Sequence, residues 1–132
     1  MKKKTVSSLK KKAWKIFSQY IRLKASIGGY CYCYTCIAVK PWKEMQAGHL
    51  LDGRTNSILF DERGVKVQCY ACNCMRSGNK EVYIPKFIDN EGRELYDELV
   101  RQKNETVKWS VSDLEEMIID FKQKLKGADQ YL

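Results

Sequence analysis

A chain of 132 residues is long enough for one domain with a modest core and too short for two comfortable ones. Hydrophobic residues at 44% and charged residues at 30% give a globular balance, and no apolar run nears the ~18 residues a bilayer-spanning helix needs. The net charge of +8 is segregated: residues 1–24 hold nine Lys or Arg and no acid, against 15 basic and 16 acidic side chains in the rest, which points to a polyanion partner, most simply nucleic acid.

The predicted elements follow in chain order. From about Thr5 to Ser26, Leu9, Ala13, Ile16, Phe17, Tyr20 and Ile21 recur at helical spacing, with Ser7 or Ser8 as cap and Gly28-Gly29 as stop. The other face of this helix carries Lys10, Lys11, Lys15, Arg22 and Lys24, placed to track a phosphate backbone. Residues 1–29 are therefore read as a basic amphipathic helix and residues 30–83 as a cysteine-bearing centre. Within that centre "EMQAGHLL" and "VKVQC" are the expected strands and "SILF" a weaker third, with the polar loop "DGRTNS" between them. "CNCMRSGNK" reads as the first turns of a helix that stops at Gly78-Asn79. In the helical region 84–132, a short helix is expected from Pro85 to Gly92, then two more over 94–103 and 112–126. The last opens on "SDLE", a capping box of Ser112 and Glu115, and its stripe Leu114, Met117, Ile118, Phe121 and Leu125 suits a core or a dimer contact. The whole is one compact α+β domain.

The lysines of the N-terminus have no apolar run behind them, so no secretory signal is read there and a cytoplasmic location is the expectation. Thiols stay reduced in that compartment, and six cysteines then suggest metal rather than disulfides. Two CxxC pairs, Cys33–Cys36 and Cys69–Cys72, each form a knuckle that points two thiolates at one ion. Together they make a closed four-sulfur shell for a structural Zn²⁺ whose binding energy is part of the folding energy. Cys31 and Cys74 have poor knuckle spacing and are left out of the shell.

His49 is the one histidine of the chain, and the zinc does not need it. It ends an expected strand, precedes a polar loop and lies between the knuckles, while the second knuckle, "CYACN", places the amide of Asn73 just after its last ligand. The order CxxC, "GH", "QCxxCN" resembles that of zinc-stapled HNH, or His-Me finger, nucleases, among them the phage endonuclease VII type. "YTCIAVKPWKEMQAGHLL" and "FDERGVKVQCYACNCMRSGN" are more similar still to the NinG/Rap recombination proteins of lambdoid phages, over about Lys10 to Tyr83.

That resemblance implies a small ββα-metal core stapled by the zinc and flanked by the basic helix and the C-terminal helices. His49 would lie on its first strand, an omega-like loop over Asp52–Arg63, a second strand near Val65–Gln68 and Asn73 on the following helix. It further implies His49 as the general base for phosphodiester hydrolysis and a catalytic Mg²⁺ or Mn²⁺ held partly by Asn73. Many HNH enzymes have Asp immediately before the histidine as a second ligand; here that position is Gly48, leaving Asp52, Asp61, Glu62 or a second subunit as sources. The middle Asn of the motif falls near Gly64, which can orient the imidazole if a backbone carbonyl does that work and impairs catalysis if a side chain is needed.

Arg54, Arg63, Arg76 and Lys80 flank the proposed site as candidate phosphate contacts beside the helix cations. The function that the resemblance implies is a structure-selective DNA endonuclease acting on branched or junction DNA, as a homodimer because a four-way junction takes two symmetric cuts. The alternative is a non-catalytic zinc module that binds DNA or a recombination partner. A third reading, an RNA-binding zinc ribbon, would use Tyr30, Tyr32, Tyr34 and Trp42 for stacking.

Overall fold

The structure, a computed structural model, describes residues 4–132; Lys2 and Lys3 of the basic segment lie outside the described residues. The elements run α1 (Val6–Lys24), β1 (Tyr30–Tyr32), β2 (Val39–Pro41), β3 (Gln46–His49), α2 (Asn56–Leu59), β4 (Val65–Gln68), α3 (Lys80–Glu91), α4 (Arg93–Lys103) and α5 (Val111–Gly127). The strands form two antiparallel pairs, β1 with β2 and β3 with β4. In the second pair Gln46 faces Gln68 and His49 faces Val65. This is a mixed fold of helices and small sheets, and no described helix is long and apolar enough to cross a membrane.

Helix α1 forms as its periodicity predicts, burying Leu9, Ala13, Ile16, Phe17 and Ile21. Its cap is Thr5 rather than Ser7 or Ser8: the Thr5 hydroxyl accepts from the Ser8 amide at 3.1 Å and the Ser8 hydroxyl from the Thr5 amide at 3.2 Å. Gly28 and Gly29, at φ +58° and +84°, then turn the chain into β1. Helix α5 packs on α1 through Leu114, Ile118 and Phe121, so the stripe considered for a dimer contact faces the chain's own core. A smaller cluster of Leu50, Tyr83, Phe87 and Leu99 lies under α3 and α4.

Three local expectations are corrected and one is refined. "SILF" is not a strand but part of a helical turn, α2, whose first residues are tied to the C-terminal region: Asn56 Nδ2 donates to the Val107 carbonyl and Gln102 Nε2 to that of Ser57. The helix expected over "CNCMRSGNK" is a single wide helical turn, Ala71–Met75, that carries Asn73, and left-handed backbone at Ser77, Gly78 and Asn79 stops it at the expected place before α3 begins. Helix α3 starts at Lys80 and holds Pro85 in its interior. The missing amide costs its bond to Glu81, which is exposed where water can replace it, and buried Tyr83 and Lys80 anchor the first turn to β3. Finally, α5 is capped by Ser110 with Asp113, two residues before the expected box. Both boxes are chemically competent; Trp109, just before the observed cap, packs edge-on to Phe60.

Candidate functional site

The tip of the β1–β2 hairpin brings the first knuckle to the second, beyond β4. The sulfurs of Cys33, Cys36, Cys69 and Cys72 all lie within 4.8 Å of one another, and Cys36 and Cys69 are 3.6 Å apart. A tetrahedral zinc with bonds of about 2.3 Å separates its sulfurs by about 3.8 Å, so the four can hold that ion. Burial opposes ionisation of Cys33, but the Cys69 amide, the Thr35 hydroxyl and further knuckle amides donate to its sulfur and bring the thiol down to about 6. Cys36 moves the other way, up to about 12: the Ala38 amide favours its thiolate, but burial and the neighbouring Cys33, Cys69 and Cys72 sulfurs together outweigh that. Arg76 Nη1 and Asn79 Nδ2 approach Cys72 Sγ at 3.4 and 3.7 Å. Cys31 is buried elsewhere with its thiol donating to the Arg22 carbonyl at 3.2 Å, and Cys74 is exposed. The first knuckle closes with Ile37 at φ +57°, an unusual conformation for a β-branched residue.

His49, at the end of β3, opens onto a cleft of about 680 Å³ lined also by Trp14, Asp52, Arg54, Asn73, Cys74 and Lys80. Its Nε2 lies 3.0 Å from the Leu59 carbonyl, which can only accept; Nε2 therefore carries the proton and Nδ1 keeps the lone pair of the neutral ring. The orienting carbonyl is thus Leu59, not Gly64, whose carbonyl instead accepts from the Leu50 amide. Leu59 is fixed because Phe60 beside it packs between Phe17 and Phe121 at 5.9 and 5.8 Å. Burial lowers the His49 pKa below its ordinary value; the Leu59 carbonyl works against this, and Arg54 and Lys80 add to it. The imidazole is therefore neutral at pH 7.

Asn73 reaches the cleft from the other side, and its Nδ2 donates to Gln46 Oε1 at 2.7 Å, which leaves Oδ1 free of that bond. Gln46 Oε1 also accepts from the Cys74 thiol at 3.2 Å. Gln68, fully buried on β4, donates to Thr35 Oγ1 and to the Gly78 carbonyl, tying both knuckles to the strand pair. Its Oε1 is buried without a hydrogen-bond partner and lies over Gly48. A Cβ on Gly48 would come within 2.8 Å of Gln68 Cδ and 3.1 Å of Asn73 Oδ1. Any side chain at this position, a carboxylate included, would have to displace the buried Gln68 amide.

Of the carboxylates considered for the second ion, only Asp52 lines the cleft, exposed and 3.6 Å from Lys80 Nζ. Asp61 is engaged by Arg63 and Gln102, and Glu62 pairs with Lys24. Among the basic candidates Arg54 lies at the cleft with its guanidinium 4.6 Å from the Trp14 ring centre. Lys10, Lys11, Trp14 and Arg54 line an adjoining groove that has no acidic side chain, and Lys10 Nζ also donates to Asn56 Oδ1. Lys15 is exposed on α1. Lys80 donates to the carbonyls of His49 and Leu50, so much of its work is structural. Arg22 is half-buried against Trp42 and spends its donors on the carbonyls of Ser18, Trp42 and Met45. Arg76 turns to the sulfur cluster. Sequence reasoning missed Trp14, Gln46, Leu59 and Gln68; a trace of Trp14 was readable as an aromatic between the apolar stripe and the basic face of α1.

The family model described as the bacteriophage lambda NinG protein matches residues 1–130. The chain belongs to the NinG family. Protein ninG of Escherichia phage 933W is 32% identical over 84 residues, and those of Escherichia phage lambda and Salmonella phage P22 are 30% and 29% identical over the same length. The matched stretch is 63% of this chain but 41% of each relative, so the chain corresponds to well under two thirds of those proteins. No solved structure matches.

Proposed function

We propose that this member of the NinG family is a metal-dependent, structure-selective DNA endonuclease of phage recombination, with His49 as general base. The observation that carries the reading is the contact between His49 Nε2 and the Leu59 carbonyl, which selects the tautomer. Leu59 holds the proton on Nε2, so the basic Nδ1 is left for a cleft that also contains Asn73 and Arg54. The order β3, pinned loop, β4 and turn bearing Asn73 agrees with the layout that the HNH resemblance implies.

In the proposed reaction a water attacks the scissile phosphorus, its proton passes to His49 Nδ1, and the bond to the 3′ oxygen breaks, that oxygen taking a proton from solvent. Arg54 supplies positive charge beside the phosphate, and Lys10 and Lys11 continue a basic track along α1. Asn73 Oδ1 and the Asp52 carboxylate are the hard oxygen donors on this cleft for Mg²⁺ or Mn²⁺, an ion that when bound offsets charge on the phosphate and the departing oxygen. The four-cysteine zinc is structural in this reading, since its shell has no open position. Basic contacts without obvious base readers favour DNA shape over sequence, and the resemblance to phage recombination nucleases makes branched DNA the expected substrate. A homodimer giving two symmetric cuts must use a surface other than the α5 stripe, which α1 covers.

A second reading, a non-catalytic zinc module that binds DNA, is favoured by one observation: Gly48 cannot carry a carboxylate beneath Gln68. The deciding experiment is a panel of synthetic duplexes, forks, flaps and junctions with and without Mg²⁺ or Mn²⁺, run on the wild type and on His49→Ala. The nuclease reading expects metal-dependent cuts that His49→Ala abolishes while folding and DNA binding persist. Absence of cutting by the wild type on every substrate, or cutting that survives His49→Ala, overturns it.

A further inference from the structure

The Leu59 hydrogen bond fixes one atom of the His49 ring. In an imidazole Nε2 lies nearer the Cβ–Cγ axis than Nδ1 does, so a bond at Nε2 restrains rotation about that axis weakly. Such a rotation would swing Nδ1, the atom the chemistry needs, away from the cleft. A second restraint is required, and it comes from α1. The Trp14 indole stacks on the imidazole with ring centres 5.1 Å apart and planes 19° from parallel. Trp14 is itself held, 5.6 Å from Phe17 and against the main core, and the Arg54 guanidinium lies 4.6 Å from its ring centre. Arg54 adopts φ +46°, a conformation that needs surrounding contacts to persist, and the indole face is one of them.

The geometry points to Trp14 as a positioning residue: its indole sets the plane of His49, so that Nδ1 faces the cleft, and holds Arg54 beside it. This rests on the nuclease reading for its consequence in turnover, though not for the ring geometry. The basic helix is then part of the catalytic apparatus as well as a DNA-binding surface, and the N-terminal segment and the cleft form one functional unit. Misplacing a base by about an ångström costs on the order of a hundredfold in rate.

The test uses the full chain, zinc-loaded, as wild type, Trp14→Leu and Trp14→Phe. Because the chain has a single histidine, ring resonances in a histidine-selective NMR spectrum belong to His49 alone. In the wild type these protons are expected to show the indole's ring-current shift and a cross-relaxation contact to Trp14. Trp14→Leu should abolish the shift and lower turnover on a branched substrate at least tenfold with little change in KM, while Trp14→Phe restores both in large part. Missing indole–imidazole contact in the wild type overturns the inference, even if Trp14→Leu fails to fold. So does a Trp14→Leu protein that shifts the histidine signals yet turns over as the wild type does. A wild type that cuts nothing sinks the nuclease reading and with it the role in turnover, whereas the histidine spectrum still decides whether Trp14 sets the ring plane.

Discussion

Replacing Gly48 by alanine tests how the candidate site is packed. Gly48 lies in β3 with backbone that any residue adopts, so the entire effect comes from the added methyl. That methyl would sit within 2.8 Å of Gln68 Cδ, closer than real Cβ contacts allow. Gln68 cannot yield cheaply, because it is fully buried and its Nε2 donates to Thr35 Oγ1 at 3.1 Å and to the Gly78 carbonyl at 2.8 Å. Overpacking costs about 1–3 kcal/mol, and each hydrogen bond lost if the amide swings away about 1 kcal/mol more. Gly48→Ala should therefore lose about 3 kcal/mol, or about 10 °C in Tm for a chain of this length. Gln68→Ala alone should lose about 2 kcal/mol by stranding the Gly78 carbonyl. In the double variant the methyl meets no amide, so its cost should stay about 2 kcal/mol and the two losses should fail to add by about 3 kcal/mol. Urea unfolding of all four proteins at one fixed zinc excess measures this cycle. A Gly48→Ala protein within about 1 kcal/mol of wild type, or losses that add to within about 0.5 kcal/mol, would refute the packing argument.

Metal analysis of purified protein should find about one zinc per chain, lost in Cys69→Ser and retained in Cys31→Ser and Cys74→Ser; zinc loss in Cys31→Ser would break the assignment of the four sulfurs. Because His49 has a lowered pKa in the folded chain, the unfolded chain binds the proton first below about pH 6.5. Stability relative to a His49→Gln protein should then fall as pH drops through that range and level off below the folded pKa; the acid limb of any cleavage activity should lie below about 6.5 as well. Lys80→Met leaves the His49 and Leu50 carbonyls without their ammonium donor and should cost about 2 kcal/mol in urea unfolding, whereas no loss would mean water serves them equally well. Ile37→Gly relieves a left-handed β-branched residue and, after the entropy cost of glycine, should stabilise the zinc-loaded protein by about 1 kcal/mol; a lower Tm would show that the exposed Ile37 side chain contributes packing.

The sequence alone determined what depends on local spacing. Two CxxC pairs identified the four sulfurs, a 3.6-residue period identified α1 and the core stripe of α5, and the short runs "EMQAGHLL" and "VKVQC" located β3 and β4. Turn chemistry placed caps and boundaries less well, since Thr5 against Ser7 or Ser8, and Ser110 against Ser112, are near-equivalent capping residues by type. The tertiary structure decided the surroundings of His49, because each partner comes from a segment distant in the chain or along a loop whose course packing fixes. Trp14 arrives from α1, the Leu59 carbonyl from a turn anchored by the Phe17–Phe60–Phe121 cluster, and Asn73 from beyond the second knuckle. A carbonyl has no residue signature at all, and a buried glutamine beneath a glycine has one only once the strands are paired. Local periodicity specifies which faces will be buried; the closing of distant segments around the sulfur cluster specifies what each buried or half-buried side chain meets.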